Sequence, residues 1–154
     1  TGKIEENCER LGLQNVEVCV QDAREYREDF SEMADVLIAD VPCSGLGVIG
    51  KKQDIKYRVT KEALAEITQL QREILENVVR YVKPGGTLLY STCTVLKREN
   101  EHILEAFLAA HPEFQPERFT LPAGSGVPDT AMATLLPQRS ATDGFFIGKL
   151  RRIG

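Results

Sequence analysis

The stretch Asp40 to Lys52, DVPCSGLGVIGKK, holds two chemistries that exclude each other. Its glycines spell G-x-G-x-x-G and, one residue out of place, a Walker-type G-x-x-x-x-G-K-[ST], both of which cradle phosphate. Its cysteine, Cys43, lies between Pro42 and Ser44 and offers a thiol for nucleophilic work. A dinucleotide turn needs its first glycine tight against a strand end, a helix opening at once, and an acidic residue about 20 positions on at the end of the next strand. Here Pro42 and Cys43 intervene, and the position that far beyond Gly45 falls in the middle of a helical pattern. The Walker reading fails because Lys52 stands where Mg²⁺ needs a hydroxyl. Gly45, Gly47 and Gly50 then serve a loop that comes close to a ligand or base.

The elements that position these residues follow from periodicity. Ile4, Cys8 and Leu11 share a helical face, and Gly12 supplies the stop. VEVCVQD, 16 to 22, alternates as a strand with Asp22 at its carboxyl end. A charged segment, 23 to 33, reads as helical. DVLIADV, 35 to 41, has the continuous apolar run of a strand buried on both faces and delivers Asp40 to its end. Thr60 caps a helix over 61 to 82 whose Leu64, Ile67, Leu70, Ile74, Leu75, Val78 and Val82 face the core. GTLLYST, 86 to 92, carries Cys93 to its carboxyl edge, ahead of a helix over 97 to 110 with Ile103, Leu104, Phe107 and Leu108 inward. A Pro- and Gly-rich connection, 112 to 139, leads to a last strand, 144 to 152, in which Phe145 and Phe146 belong to the core. No internal repeat is present.

Strands alternating with helices predict an α/β fold, a parallel-rich sheet with a layer on each face. Ligands bind outside the carboxyl ends of such strands. Asp22, Asp40, Cys43 and Cys93 all map to that one edge.

Composition sets the limits. The 154 residues, 42% hydrophobic and 27% charged, suit one domain with a proper core. No apolar run approaches the roughly 18 residues of a membrane span, and no secretory signal pattern opens the chain, so a cytoplasmic setting is expected. The four cysteines include no C-x-x-C pair, which points to free thiols rather than a disulfide frame or a zinc site, and no metal is expected. A net charge of −4 argues against a protein that coats nucleic acid generally, while leaving room for a local basic patch.

Three blocks, DVPCSGLGVIGKKQDIKYR, YSTCTVLKRENE and LLPQRSATDGFFIGKL, in that order, resemble the Sun/RsmB-type (Fmu) RNA 5-methylcytosine methyltransferases, which use S-adenosyl-L-methionine on a Rossmann-like fold. The likeness runs from the ENCERLGL helix to the end of the chain, and the P-C-S-G and S-T-C-[ST] motifs together are highly specific. The resemblance implies a mostly parallel sheet with an antiparallel C-terminal strand. It also implies that Cys93 attacks carbon 6 of the cytosine and Cys43 assists release. Asp40 would contact the base and the methionine end of the cofactor, and Asp22 would lie near the adenosine. Carbon 5 of cytosine is a poor nucleophile until a thiolate adds to carbon 6, which is why such an enzyme wants thiols.

Lys51, Lys52, Lys56 and Arg58 adjoin the site and are candidates to hold RNA phosphates. Their plain alternative is a solvated face. Asp40 and Asp22 could likewise only cap a turn and end a strand, and Cys8 and Cys19 read as small packing residues. His102 and His111 lack ligand-like spacing.

The chain departs from the family pattern where Gln53 replaces the proline of R-x-x-P-D-[IL]-K. The family's glycine-rich cofactor motif and the first two strands of its sheet would precede residue 1, as would any N-terminal RNA-binding domain. Residues 1 to 154 are therefore expected to be a partial catalytic domain, inactive alone and prone to self-association through exposed strand edges. The expected substrate is small-subunit ribosomal RNA. The alternatives are a non-catalytic RNA-binding module, which would not require both Cys43 and Cys93, and a nucleotide-binding enzyme using the glycine loop.

Overall fold

A computed structural model describes residues 1–123 and 125–154, with all their side chains except that of Arg58. The elements are α1 (Gly2–Leu11), β1 (Ala34–Asp40), α2 (Ile55–Arg58), α3 (Lys61–Val78), β2 (Val82–Thr92), α4 (Glu101–Ala110), β3 (Phe114–Pro116), β4 (Met132–Leu135), α5 (Pro137–Ser140) and β5 (Phe145–Arg152).

The sheet is mixed, in the order β1-β2-β5-β3, with β4 also on β5. β1 and β2 pair parallel, while β5 runs antiparallel to β2, β3 and β4. Four strands therefore share one direction and the C-terminal strand opposes them, as the family resemblance implied. β3 and β4 lie end to end along the outer edge of β5, so the 112 to 139 connection is more ordered than its glycines and prolines suggested.

α3 begins where Thr60 accepts a hydrogen bond from the Ala63 N–H at 3.1 Å, the side-chain cap its sequence position called for. It stops at Val78, and a 3₁₀ turn, Val79–Tyr81, leads straight into β2. Val82 is thus the first residue of a strand rather than the last of a helix. Register places Leu37 opposite Leu88 and Ala39 opposite Tyr90. On the other side of β2, Leu88 faces Leu150 and Thr92 faces Phe146. This face of the sheet packs with Ile74 and Leu75 of α3 and with Ile103, Leu104 and Phe107 of α4 in one core.

The opposite face differs from expectation. Val36 is 57% exposed and Ile38 67%, so β1 is not buried on both faces, and no second layer of helices covers them among the described residues. α1 buries none of its residues. The segment 16 to 22 is extended but joins no ladder, and Val20 and Cys19 are exposed. A strand is held by the hydrogen bonds of a neighbour, and β1, the nearest candidate, pairs only with β2. Nor is 23 to 33 an α-helix. It forms turns and a 3₁₀ turn, Glu28–Phe30, held in place by α3 and the 3₁₀ turn that follows α3. Asn77 donates to the Ala23 and Glu25 carbonyls, and the Tyr81 hydroxyl accepts from the Arg27 N–H. Tertiary anchoring of this kind overrides a helical charge pattern.

Candidate functional site

Parallel pairing brings the ends of β1 and β2 together. Asp40 stands opposite Ser91, whose hydroxyl donates to Asp40 Oδ1 at 2.9 Å, and the Val41 N–H donates to the Ser91 carbonyl. Beyond this last rung both chains leave the sheet on the same side. Cys43 and Cys93 then meet, with Sγ atoms 3.2 Å apart and both side chains half-buried. Burial first, and the neighbouring Cys93 second, push the Cys43 thiol up to about 12, so it keeps its proton at neutral pH.

Gly47 makes this convergence possible. Its N–H donates to the Cys93 carbonyl at 3.0 Å, and its own carbonyl accepts from the Gly144 N–H at 2.8 Å. A Cβ on Gly47 would lie 2.0 Å from the Gly144 oxygen and 2.8 Å from the Cys93 oxygen. The close approach foreseen for the glycine loop is therefore made to the chain's own backbone at Gly47, while Gly50 faces open space. Gly45 takes the left-handed conformation, φ +73°, that turns the loop back toward α2.

Behind the thiols lies a buried polar cluster that periodicity and spacing did not single out. Glu99, with 0% exposure, accepts from the Ser44 N–H at 2.8 Å, the Ser44 hydroxyl at 2.6 Å, Thr94 Oγ1 at 3.2 Å and Gln71 Nε2 at 3.3 Å. Gln71 also donates to the Pro42 carbonyl, and Asn100 joins Thr92 Oγ1 to the Thr94 carbonyl. Tyr90, pushed upward chiefly by burial, donates its hydroxyl to the Glu99 carbonyl. One signal was available in the sequence: each site cysteine is followed by a hydroxyl residue, and Glu99-Asn100 opens the next helix.

Asp22 and Asp40 line one cleft of about 600 Å³, together with Leu37, Ala39, Pro42 and Ile74. Asn77 and Tyr81 put Asp22 there by fixing the turns that follow it. Asp22 is exposed and bonded through both oxygens to Arg24, and its hydrogen bonds from the Arg24 side chain and backbone lower its pKa to about 2. The cleft joins an apolar wall to carboxylates at two edges, a set suited to a nucleoside carrying hydroxyls and a cationic centre.

Lys51 and Lys52, on the loop beyond the thiols, and Lys56, in α2, are exposed. Lys51 Nζ lies 2.7 Å from Asp143, and Lys56 Nζ lies 4.8 Å from the centre of the Tyr57 ring. The Arg58 side chain lies outside the described residues. His111, at the end of α4, is a structural residue bonded by Glu76 and Glu113.

A Rossmann-like α/β sheet thus carries, at its strand ends, a nucleoside-sized cleft and two apposed thiols. The model of the 16S rRNA methyltransferase RsmB/F family matches residues 1–151. The chain belongs to this family. It is 39% identical over 157 aligned residues to the Bacillus subtilis protein "Probable ribosomal RNA small subunit methyltransferase B", covering 98% of this chain and 35% of that one. Among solved structures, PH0851 superposes with a TM-score of 0.87 at 38% identity, over 97% of this chain and 34% of that one. NSun6 from Pyrococcus horikoshii, solved with SFG, gives a TM-score of 0.80 at 29% identity, over 99% and 38%. The chain thus spans about a third of the length of the curated relatives it matches. No helix among the described residues is long and apolar enough to cross a membrane.

Proposed function

We propose that this chain is part of the catalytic domain of a cytoplasmic enzyme that methylates carbon 5 of a cytosine in small-subunit ribosomal RNA through a covalent cysteine adduct. The observation that carries this reading is the 3.2 Å contact between Cys43 and Cys93 at the strand ends beside Asp40. A binding module would have no use for two apposed thiols.

In this reading Cys93 adds through Sγ to carbon 6, and the ring electrons move toward carbon 5 and nitrogen 3. Asp40, at the rim of the cleft, favours that shift through a hydrogen bond with the nitrogen 3 side of the base. S-adenosyl-L-methionine supplies the methyl group. Asp22 and Asp40, on the same cleft, would hold its adenosine and methionine ends. A solvent water then takes the proton from carbon 5, the electron pair of that C–H bond re-forms the double bond between carbons 5 and 6, and the bond from carbon 6 to Cys93 breaks with its electron pair returning to sulfur. Cys43 remains protonated 3.2 Å away and stabilises the departing thiolate by hydrogen bonding. Lys51, Lys52, Lys56 and Arg58 would hold the RNA backbone beside the site.

The test uses a full-length protein carrying this chain and RNA containing 5-azacytidine, which traps the adduct. A covalent complex is expected, lost in Cys93→Ala and, on normal RNA, accumulating in Cys43→Ala. No adduct, or an adduct that survives Cys93→Ala, overturns the proposal.

A further inference from the structure

The side chains that follow the two cysteines, Ser44 and Thr94, do not diverge. Their hydroxyls lie 2.9 Å apart, and both donate to Oε1 of Glu99, at 2.6 and 3.2 Å. The second oxygen, Oε2, takes the Ser44 N–H and Gln71 Nε2. One fully buried carboxyl group therefore ties the residue after Cys43 to the residue after Cys93, across 55 and 5 positions of chain. Gln71 adds a strut from α3 to the Pro42 carbonyl on the other side of Cys43.

Burying a carboxyl group is costly unless its oxygens are filled by donors. A hydrophobic residue would pack this place with less penalty, so the polar choice needs a reason beyond stability. Among the described residues, the two loops are joined by the contact of the thiols, by backbone hydrogen bonds at Cys93 and by this knot. Two loops leaving a sheet past its last rung have no ladder to set their separation. A four-donor acceptor supplies a fixed one.

The geometry points to Glu99 as the positioning residue that, through Ser44 and Thr94, holds Cys43 and Cys93 at contact distance. For its place in catalysis this rests on the two-thiol reading above; Glu99 itself touches neither sulfur.

The distance can be read without RNA. Diamide closes neighbouring thiols to a disulfide: two S–H bonds break, one S–S bond forms, and two electrons and two protons pass to the N=N bond of the reagent. In the full chain with Cys8 and Cys19 replaced by serine, the closure rate reports how often Cys43 and Cys93 meet. Losing hydrogen bonds of this kind should slow closure about tenfold in Glu99→Gln and in Thr94→Val. Alkylation of Cys43 by iodoacetamide in a further Cys93→Ser background should change by less than about twofold, because the fold around it persists. Closure at the unmodified rate overturns the assignment, and so does slowed closure that comes with equally accelerated alkylation, the mark of general loosening. Should Glu99→Gln fail to fold, Thr94→Val, which keeps shape and removes one hydroxyl, decides by the same criteria. The adduct assay can fail while these rates behave as expected, and the reverse, so the two readings fall separately.

Discussion

Cys43 and Cys93 lie 50 positions apart in the chain, yet their sulfur atoms are 3.2 Å apart, closer than a van der Waals contact between two sulfurs would allow without a shared hydrogen. Burial first, and the neighbouring Cys93 second, hold the proton on Cys43.

The proton on Cys43 can be read from its reactivity. At about pH 8, iodoacetamide should modify Cys43 at least tenfold more slowly than the exposed Cys19, because a thiol held near 12 offers almost no thiolate. Replacing Cys93 by serine should raise the Cys43 rate only in part, since burial outranks the neighbour as the cause. Peptide mapping after timed quenching reads both rates. Equal reactivity of Cys43 and Cys19 would contradict the assignment of the proton.

Gly47→Ala should destabilise the chain by about 3 kcal/mol or more, because the atoms its Cβ would meet are backbone and cannot step aside. The same change should push the Gly47 and Cys93 segments apart and slow diamide closure of the thiol pair. Denaturant melts of the two chains check the first effect. A loss below about 1 kcal/mol would mean that the Gly47 and Gly144 segments are not packed as described.

His111 makes the fold sensitive to pH. Burial alone would lower its pKa, but Glu113 and Glu76, at 3.0 and 2.9 Å from its two ring nitrogens, outweigh burial and raise it. The folded state therefore binds the proton more tightly than the unfolded chain. The stabilisation is complete below the unfolded value of about 6.5 and is lost as pH rises through the higher folded value. Because Glu76 is half exposed, the decline should be at most about 1 kcal/mol between roughly pH 6 and pH 9. His111→Gln should flatten it, and melts across that range decide. A native chain whose stability rises over the window would refute the sign.

Asp22 should matter for cofactor and not for fold. Held near 2 by Arg24, it stays charged throughout the physiological range, so its share of affinity should show no acid limb above about pH 4. In a full-length protein carrying this chain, Asp22→Asn should weaken S-adenosylhomocysteine binding about tenfold by calorimetry while leaving the melting temperature unchanged. Unchanged affinity would remove Asp22 from the cofactor site.

Local pattern alone was enough for the elements that this chain completes by itself. Thr60 and the spaced apolar residues of α3, the Leu88 to Thr92 strand, and the inward side of α4 each write their own burial, because cap chemistry and periodicity act within a few residues. VEVCVQD shows where such reading stops. Its alternation is that of a strand, but a strand exists only when another backbone supplies its hydrogen bonds, and β1 gives it none. The same holds for the apolar run of β1, whose Val36 and Ile38 stay open although their types ask for cover.

The two cysteine motifs and Asp40 were legible as residue types at strand ends, and the order of the motifs along the chain named the family, whereas the strand expected to end at Asp22 does not form. What the sequence could not set was distance. That Asp40 meets Ser91, that Cys43 meets Cys93, and that Ser44 and Thr94 share Glu99 depend on the parallel register of β1 on β2 and on the absence of a side chain at Gly47. Register is a property of two strands together, so no segment read singly contains it, and only the packed chain turns a pair of motifs into one site.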